Sequence, residues 1–381
     1  MNLVKDNLAI RNALASDAEQ LCAWWNDGKI MAHAGFPGGI NTTPDEIRNS
    51  LKGDSDESHR RHIIELDGRP IGEMNYRSKG NKTAEIGIKI CDFDVQEKGF
   101  GTILLVIFID SLFMYYGYEK VILDTSSENK RAQHVYEKKL GFKTVGRNSW
   151  VDGMGNSQTS IDYDLAKDDW LIRADKPPSY IHMRLERPCD HYNVEYLTRE
   201  AFWKTFDEEK QEFCDEHLLV HRLRKSASFV PELNYIAEIN GNIAGHIIYS
   251  KSRIIDDKDN AHKVLTFGPL SVLPEYQNQG IGKALMRHSF KAARDMGYRA
   301  IVIYGHPGYY PKVGFRRSAE FGIETPDGKT FDAFMVLPLY EAALDGIQGR
   351  HHLDSAYNTL SKEDAMHYDK QFPPKSYYPP V

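Results

Sequence analysis

At 381 residues the chain is too long for one ordinary domain and long enough for two, each with its own core. Hydrophobic residues make up 41% and charged residues 27%, and a formal net charge of −6 leaves no electrostatic footprint for nucleic acid. Four scattered cysteines, Cys22, Cys91, Cys189 and Cys214, form no C-x-x-C pair and fit no zinc spacing, which reads as reduced intracellular thiols. The opening MNLVKDNLAIRNA lacks a signal-peptide core, and the longest apolar run, TILLVIFIDSLFMYYG, is broken by Asp110 and too short for a bilayer. The expectation is a cytoplasmic protein with no membrane or nucleic-acid partner.

In chain order, Leu8–Asn12 reads as a strand, Asp17–Asn26 as a helix, and Pro44–Lys52 as a second helix. RHIIELDGRPIGEMNYRS alternates on both sides of Asp67-Gly68, a favoured two-residue hairpin turn. TAEIGIKIC is the next strand. QEKGFG follows, then a helix over Thr102–Tyr116, a strand over Lys120–Asp124, a helix over Asn129–Lys139 and a hairpin around DGMGN. Pro177-Pro178 and flanking charges in AKDDWLIRADKPPSY mark a break. This gives a first domain over 1–166, a linker over 167–179 and a second domain over 180–345, with a C-terminal extension over 346–381 packing on the second. The second domain repeats the plan: a hairpin around Asn240-Gly241, a strand in KVLTFGPLSVL, the turn QNQGIG, a helix over Lys283–Met296 and a strand over Ala300–Tyr304. EFCDEHLLVHRLRKSASF reads as helical, and EAALDG after Tyr340 as the start of a helix. Paired strands followed by strand–helix–strand predict an α/β fold of the α+β type: two tandem domains, each a mixed, mostly antiparallel sheet flanked by helices.

The internal repeat is explicit. Val95–Leu123 can be laid on Tyr276–Tyr304, sharing Gln-x-x-Gly-x-Gly, a helical run, Gly-Tyr and a β-branched strand, with 181 residues between Gly99 and Gly280. Each copy is later followed by Gly-Phe, at Gly141-Phe142 and Gly314-Phe315. A glycine turn ahead of a helix offers unpaired N–H groups and a favourable dipole to a phosphate. A dinucleotide fingerprint would need a third glycine where Leu104 and Leu285 stand, and a P-loop would need Gly-Lys-Ser/Thr. Antiparallel hairpins also precede both turns. Hydride transfer and nucleotide hydrolysis are both disfavoured.

With these residues in place, the chain resembles the GNAT superfamily of acetyl-CoA-dependent N-acetyltransferases over both domains. LPEYQNQGIGKALM is the closer copy, while DFDVQEKGFGTILL lacks the Pro-Glu-Tyr lead-in. The resemblance implies acetyl-CoA as co-substrate, and the absence of H-E-x-x-H among scattered histidines gives no reason to expect a metal. By motif position it implies a pyrophosphate loop of Gln96, Glu97, Lys98, Gly99, Phe100, Gly101 and Thr102 in the first domain. The second-domain loop is Gln277, Asn278, Gln279, Gly280, Ile281, Gly282 and Lys283. Pantetheine-facing backbone would be Ile90 and Cys91, and Ser271, Val272 and Leu273. Asn129 matches a family coenzyme contact in SSENKRAQHVYEKKLGF, a segment that resembles the ribosomal-protein and aminoglycoside acetyltransferase branches. GHPGYYPKVGF resembles a bacterial branch of mostly unassigned substrate. Glu97 puts an acid beside a phosphate site unless it points away.

Acetyl transfer needs a neutral amine, hydrogen-bond donors for developing charge and a proton for the departing thiolate. Tyr310, four residues before Gly314, falls where the family's thiolate-protonating tyrosine stands. Tyr136 lies five residues before Gly141, and a helix absorbs the extra residue only by rotating or bulging. Glu73 and Glu85 are candidate bases in the first domain, with a solvated strand face as the alternative. The corresponding strand of the second has no carboxylate, leaving Glu238, a residue of the tail, or a substrate that enters already neutral. Ala23–Thr43, with Trp24, Trp25 and Phe36, reads as a substrate-side loop, with core packing as the alternative for the tryptophans. The expected activity is acetyl transfer to a primary amine of a small molecule by direct attack in a ternary complex. The alternatives are one catalytic domain with a structural or acyl-CoA-sensing partner domain, a protein N-terminal or lysine acetyltransferase, and an interaction protein without catalysis.

Overall fold

The computed structural model describes residues 1–151, 157–173, 179–203 and 214–375. The chain divides into two units, Met1–His182 and Met183–Val381. In the first, the strands are β1 (Asn2–Lys5), β2 (Leu8–Asn12), β3 (His59–Leu66), β4 (Arg69–Ser78), β5 (Thr83–Ile90), β6 (Lys120–Ser126), β7 (Lys143–Val151) and β8 (Ser157–Ala166). The helices are α1 (Ala18–Asn26), α2 (Gly28–Met31), α3 (Pro44–Leu51), α4 (Phe100–Met114), α5 (Lys130–His134) and α6 (Lys167–Leu171). The sheet runs β1–β2–β3–β4–β5–β6–β8–β7, antiparallel except for β5–β6. That parallel pair meets only at Thr83–Glu85 opposite Lys120–Ile122. Beyond it the two strands part and leave a wedge, which positions the site.

The hairpin turns form as their dipeptides require: φ is 53° and 80° at Asp67 and Gly68, and 51° and 80° at Asn240 and Gly241. Helix α4 is apolar on all sides and buries Leu104, Leu105, Ile107, Phe108 and Leu112 in the core of the unit, the fate expected of such a helix. On the other face, Leu21, Trp24 and Ile47 of α1 and α3 pack with Ile63 and Cys91. Asp110, the charge that interrupts the apolar run, accepts hydrogen bonds from Trp170 Nε1–H at 3.0 Å and the Tyr180 hydroxyl at 2.9 Å. Residues Lys167–Leu171, inside the segment read as a linker, are therefore a helix held on the first unit, with Trp170 buried. The DGMGN turn lies outside the described residues.

The remaining elements are β9 (Ile181–Leu185), α7 (His191–Phe202), α8 (Glu216–Arg224), β10 (Tyr235–Ile239), β11 (Asn242–Ile255), β12 (Ala261–Val272), α9 (Ile281–Asp295), β13 (Ala300–Tyr304), β14 (Arg316–Arg317), β15 (Ile323–Glu324), β16 (Phe334–Pro338), β17 (Gly349–His352) and α10 (Lys362–Asp369). In the second unit the order β10–β11–β12–β13–β16–β14 repeats the plan, with the parallel pair β12–β13 meeting at Leu265↔Ile301, and the short β15 adds a parallel pairing to β17. The tail differs from its reading. EAALDG forms turns, because its Leu344 is drawn into a cluster with Ile254, Val302 and Phe334. The next segment supplies β17, antiparallel to the end of β11. Helix α10 is then tied to α7 by Asp369, which accepts from the buried Arg199 at 2.5 and 2.9 Å.

The repeat extends to a buried ion cluster. Arg11 bridges Asp17 and Glu65 at 2.7 and 2.6 Å, and Arg184 bridges Asp190 and Glu238 at 2.6 and 2.8 Å. Glu238, considered above as a base, is the second copy of this structural carboxylate and is committed to its arginine.

Candidate active sites

Both glycine turns adopt one backbone. Gly99 and Gly280 sit at the N-caps of α4 and α9 with φ of 82° and 84°, and Glu97 and Asn278 precede them at 64° and 61°. The first helical bonds are made by Thr102 N–H in one copy and Ala284 N–H in the other, each to the N-cap carbonyl. A helix start of this kind leaves the amides ahead of them without a carbonyl partner in the helix. The glutamines have a different task from the glycines. Gln96 donates its side-chain amide to the Ile90 carbonyl at 2.8 Å, and Gln277 donates to the Val272 carbonyl at 3.1 Å. They moor each loop to the strand before the wedge.

Two cavities meet in the wedge of the first unit. One of about 310 Å³ is bordered by Ile90, Gln96, Glu97, Gly99, Phe100, Gly101 and Thr102, with Arg131 and Val135 opposite. The other, of about 280 Å³, is lined by Ile30, Ala34, Glu73, Asn75, Lys89 and Asp124. Ile88, Leu105, Asn129 and Tyr136 line both. Glu97 does not face the phosphate side unpaired, since Arg131 lies 3.4 Å from its carboxylate. Asn129 caps α5, its side-chain oxygen accepting from Ala132 N–H at 3.1 Å.

Tyr136 reaches this junction through a π-helical turn over Val135–Leu140, closed by Gly141 N–H to the Tyr136 carbonyl. The extra residue of YEKKLGF is absorbed by bulging. Phe142 N–H then bonds the same carbonyl, as Phe315 N–H bonds that of Tyr310 in the second unit. Burial, then the charge of Asp124, pushes the Tyr136 hydroxyl up to about 12.

In the second unit Tyr310 opens a single 3-10 turn, its ring 5.8 Å from Phe267 of β12 and packed over Gly305, where a methyl would come within 2.3 Å of it. Burial, then Tyr309, holds its hydroxyl at about 12. A methyl on Gly282 would lie 3.2 Å from the Tyr309 hydroxyl, so Tyr309 stands over the glycine turn.

Residues 7–143 match the model of the acetyltransferase (GNAT) domain and residues 195–315 that of the acetyltransferase (GNAT) family, together more than half of the chain.

The chain belongs to the GNAT acetyltransferases, with two such domains in tandem.

It is similar to the uncharacterized N-acetyltransferase YjhQ of Escherichia coli, 34% identical over 107 residues, which are 28% of this chain and 59% of that protein. It is 27% identical to the uncharacterized N-acetyltransferase YhbS of the same species over 168 residues, 44% of this chain and 92% of the relative. Among solved structures, YhbS in complex with CoA covers 50% of this chain and 98% of its own at 25% identity and a TM-score of 0.43. A Vibrio cholerae spermidine N-acetyltransferase with CoA and spermine covers 44% and 99% at 23% identity and a TM-score of 0.40.

Within the first GNAT unit the two predicted carboxylates part company. Glu73 enters the cavity, but Lys89 pairs with it at 2.5 Å and Trp25 Nε1–H donates to it at 2.9 Å, so it is a neutralised anchor. Trp25 is thus neither pure core nor free, whereas Trp24 is buried. Glu85 shares the strand face but is absent from the cavity lining and lies 3.4 Å from Lys79. Asp124, on β6 at the wedge, was not singled out by sequence reasoning. It lines the cavity and is open at its mouth. The protein around it, then Asp162 and Glu85, raises its pKa above the ordinary aspartate value. The available signal was its place at the end of the strand after Gly-Tyr. Ile30 and Ala34 place the Ala23–Thr43 segment on the cavity wall. Cys91 is buried, which raises its thiol pKa and leaves it inert.

Proposed function

We propose that the first unit transfers an acetyl group from acetyl-CoA to a primary amine of a small, positively charged molecule by direct attack in a ternary complex. The observation that carries this reading is the meeting, at Tyr136 and Asn129, of a cavity at the glycine turn with a cavity lined by Asp124. The cradle suits a pyrophosphate: two residues ahead of the helix sit at positive φ, and nothing lies within 4 Å of a methyl on Gly99 or Gly101.

Asp124, with its raised pKa, takes one proton from the incoming ammonium group and passes it to solvent at the cavity mouth. The neutral nitrogen attacks the thioester carbon; the C–N bond forms and the C–S bond breaks. With its hydroxyl near 12, Tyr136 stays protonated and donates a hydrogen bond to the departing sulfur. The second nitrogen proton reaches sulfur through this phenol. Thus the tyrosine relays a proton and never remains a phenolate, which its pKa would make costly.

The test is coenzyme release by the intact protein with acetyl-CoA and a panel of alkyl amines, together with calorimetry of acetyl-CoA. Turnover lost in Asp124→Asn with binding retained is the expected result. Absence of acetyl-CoA binding would refute the reading.

A further inference from the structure

The two sheets can be compared position by position, because the Gln-to-carbonyl moorings, the parallel bridge and the Gly-Tyr dipeptide give a common register. Glu73, opposite Lys89, corresponds to His246, opposite Ser271. Val121, paired with Ala84, corresponds to Ile301, paired with Leu265, so Glu85 corresponds to Thr266. Asp124, seven residues after Gly117, corresponds to Tyr304, seven after Gly297. Their cross-strand partners are Asp162 in the first unit and Phe334 in the second. Four acids on one face of the first sheet become histidine, threonine, tyrosine and phenylalanine on the second.

The replacements form a built wall. Tyr304 lies flat on Phe334, with ring centroids 4.7 Å apart and planes 1° apart, and Phe331 adds a third ring at 6.0 Å from Tyr304. Tyr304 is 39% exposed and Phe331 46%, so this aromatic step is open to a ligand. Behind it the tail contributes His351, buried in β17. Its Nε2 lies 3.0 Å from the Ser252 hydroxyl and 3.4 Å from that of Thr266, and its Nδ1 lies 3.4 Å from the Tyr304 hydroxyl. Burial keeps this imidazole neutral, at about 3. With Nε2–H donated to the hydroxyls, Nδ1 accepts from Tyr304, and the phenol oxygen faces outward as an acceptor for an N–H group. The carboxylate whose charge reaches Tyr304 is Asp327, already held by Lys329 at 2.6 Å and by the Thr325 hydroxyl at 2.6 Å. No anchored acid remains at the corresponding positions to hold an ammonium ion or take its proton.

We propose that the second unit acetylates amines that are uncharged at neutral pH and carried on a flat aromatic body, with arylamines as the type, while the first takes alkylammonium ions. This rests on the acetyl-transfer reading. An arylamine needs no base before attack: its lone pair forms the C–N bond, the C–S bond breaks, and the nitrogen's proton passes through the Tyr310 phenol to sulfur. Tyr304 and Phe331 supply the exposed stacking surface, with Phe334 buried beneath Tyr304 as its support, and His351 is a positioning residue for the Tyr304 hydroxyl.

The full-length chain is assayed for coenzyme release with para-methoxyaniline and with putrescine, as wild type and as Gly99→Asp and Gly280→Asp, with a melting curve for each. Gly99→Asp should lose putrescine turnover by about tenfold or more and keep that of the arylamine, and Gly280→Asp should do the reverse. If a variant fails to fold, the intact chain still decides: saturating putrescine should leave arylamine turnover unchanged. Mutual competition overturns the proposal. So does arylamine turnover that falls with Gly99→Asp, or no arylamine turnover in a chain that binds acetyl-CoA and acetylates putrescine. If calorimetry finds no acetyl-CoA binding at either turn, the acetyl-transfer reading itself fails, and this proposal with it.

Discussion

Gly101→Ala separates folding from coenzyme binding by sign. Gly101 is the second residue of α4, at an ordinary helical position, and a methyl there meets no atom within 4 Å. Exchanging a helical glycine for alanine stabilises the fold by up to about 0.5–1 kcal/mol, with the lower figure suited to a first turn. For a unit of this size that raises Tm by ~1–3 °C. The same methyl projects into the cavity at the glycine turn, where an anion must come within about 2.9 Å of the backbone amides. Holding it off by one methyl removes a charge-assisted hydrogen bond of ~1.5–3 kcal/mol, or roughly 10- to 100-fold in Kd. Calorimetry of acetyl-CoA in a Gly280→Asp background reads the first cradle alone, and scanning calorimetry reads stability. Gly99→Ala is the control: at φ 82° it should destabilise the unit by ~1–2 kcal/mol. Unchanged affinity in a Gly101→Ala protein that melts no lower than wild type would refute the assignment of this turn as the pyrophosphate cradle.

Tyr136→Phe should lower kcat for putrescine by about 100-fold and leave the acetyl-CoA Kd unchanged, read by steady-state kinetics and calorimetry. The rate with putrescine should rise with pH along a limb above the ordinary aspartate range, because the pKa of Asp124 is raised; Asp124→Asn should remove that limb from the pH–rate profile. Asp369→Ala strips the carboxylate from buried Arg199 and should cost the second unit ~3–5 kcal/mol, seen as a lower urea midpoint. Burial lowers His217 and His246 to about 4 and His351 to about 3 from an ordinary 6.5, so between about 4 and 6.5 the unfolded chain binds more protons than the folded one. Stability of the second unit is then full above 6.5 and falls as pH drops below it; urea midpoints that stay flat between pH 7 and 4.5 would contradict the buried neutral histidines.

The glycine turns, both hairpins and the duplication were legible because each depends on neighbours along the chain. Asp67-Gly68 and Asn240-Gly241 dictate their own φ angles, and Gly99 and Gly280 dictate the entry to their helices. Counting residues in YEKKLGF showed that something must give before Gly141, but the choice of a π-turn belongs to packing, since Tyr136 is held between Phe142 and Tyr163 at 5.9 and 5.8 Å. The EAALDG segment has helix-forming residues, yet Leu344 gains more by burial against β11, β13 and β16 than a short helix could return.

The acid–base assignments were not legible in the same way. Glu73 looked like a free carboxylate until Lys89 and Trp25 closed on it from another strand and another helix. Asp124 has its pKa raised by the protein around it and then by Asp162, its partner across β6 and β8, which no stretch of sequence near it announces. The sequence alone determined the tandem architecture and the backbone of the two glycine turns, because local conformation follows from local residues. Only the tertiary structure decided which acids are paired, which has a raised pKa, and that the second unit has none of them at the matching positions. The protonation state of a side chain is set by charges and solvent that distant strands bring to it or take away.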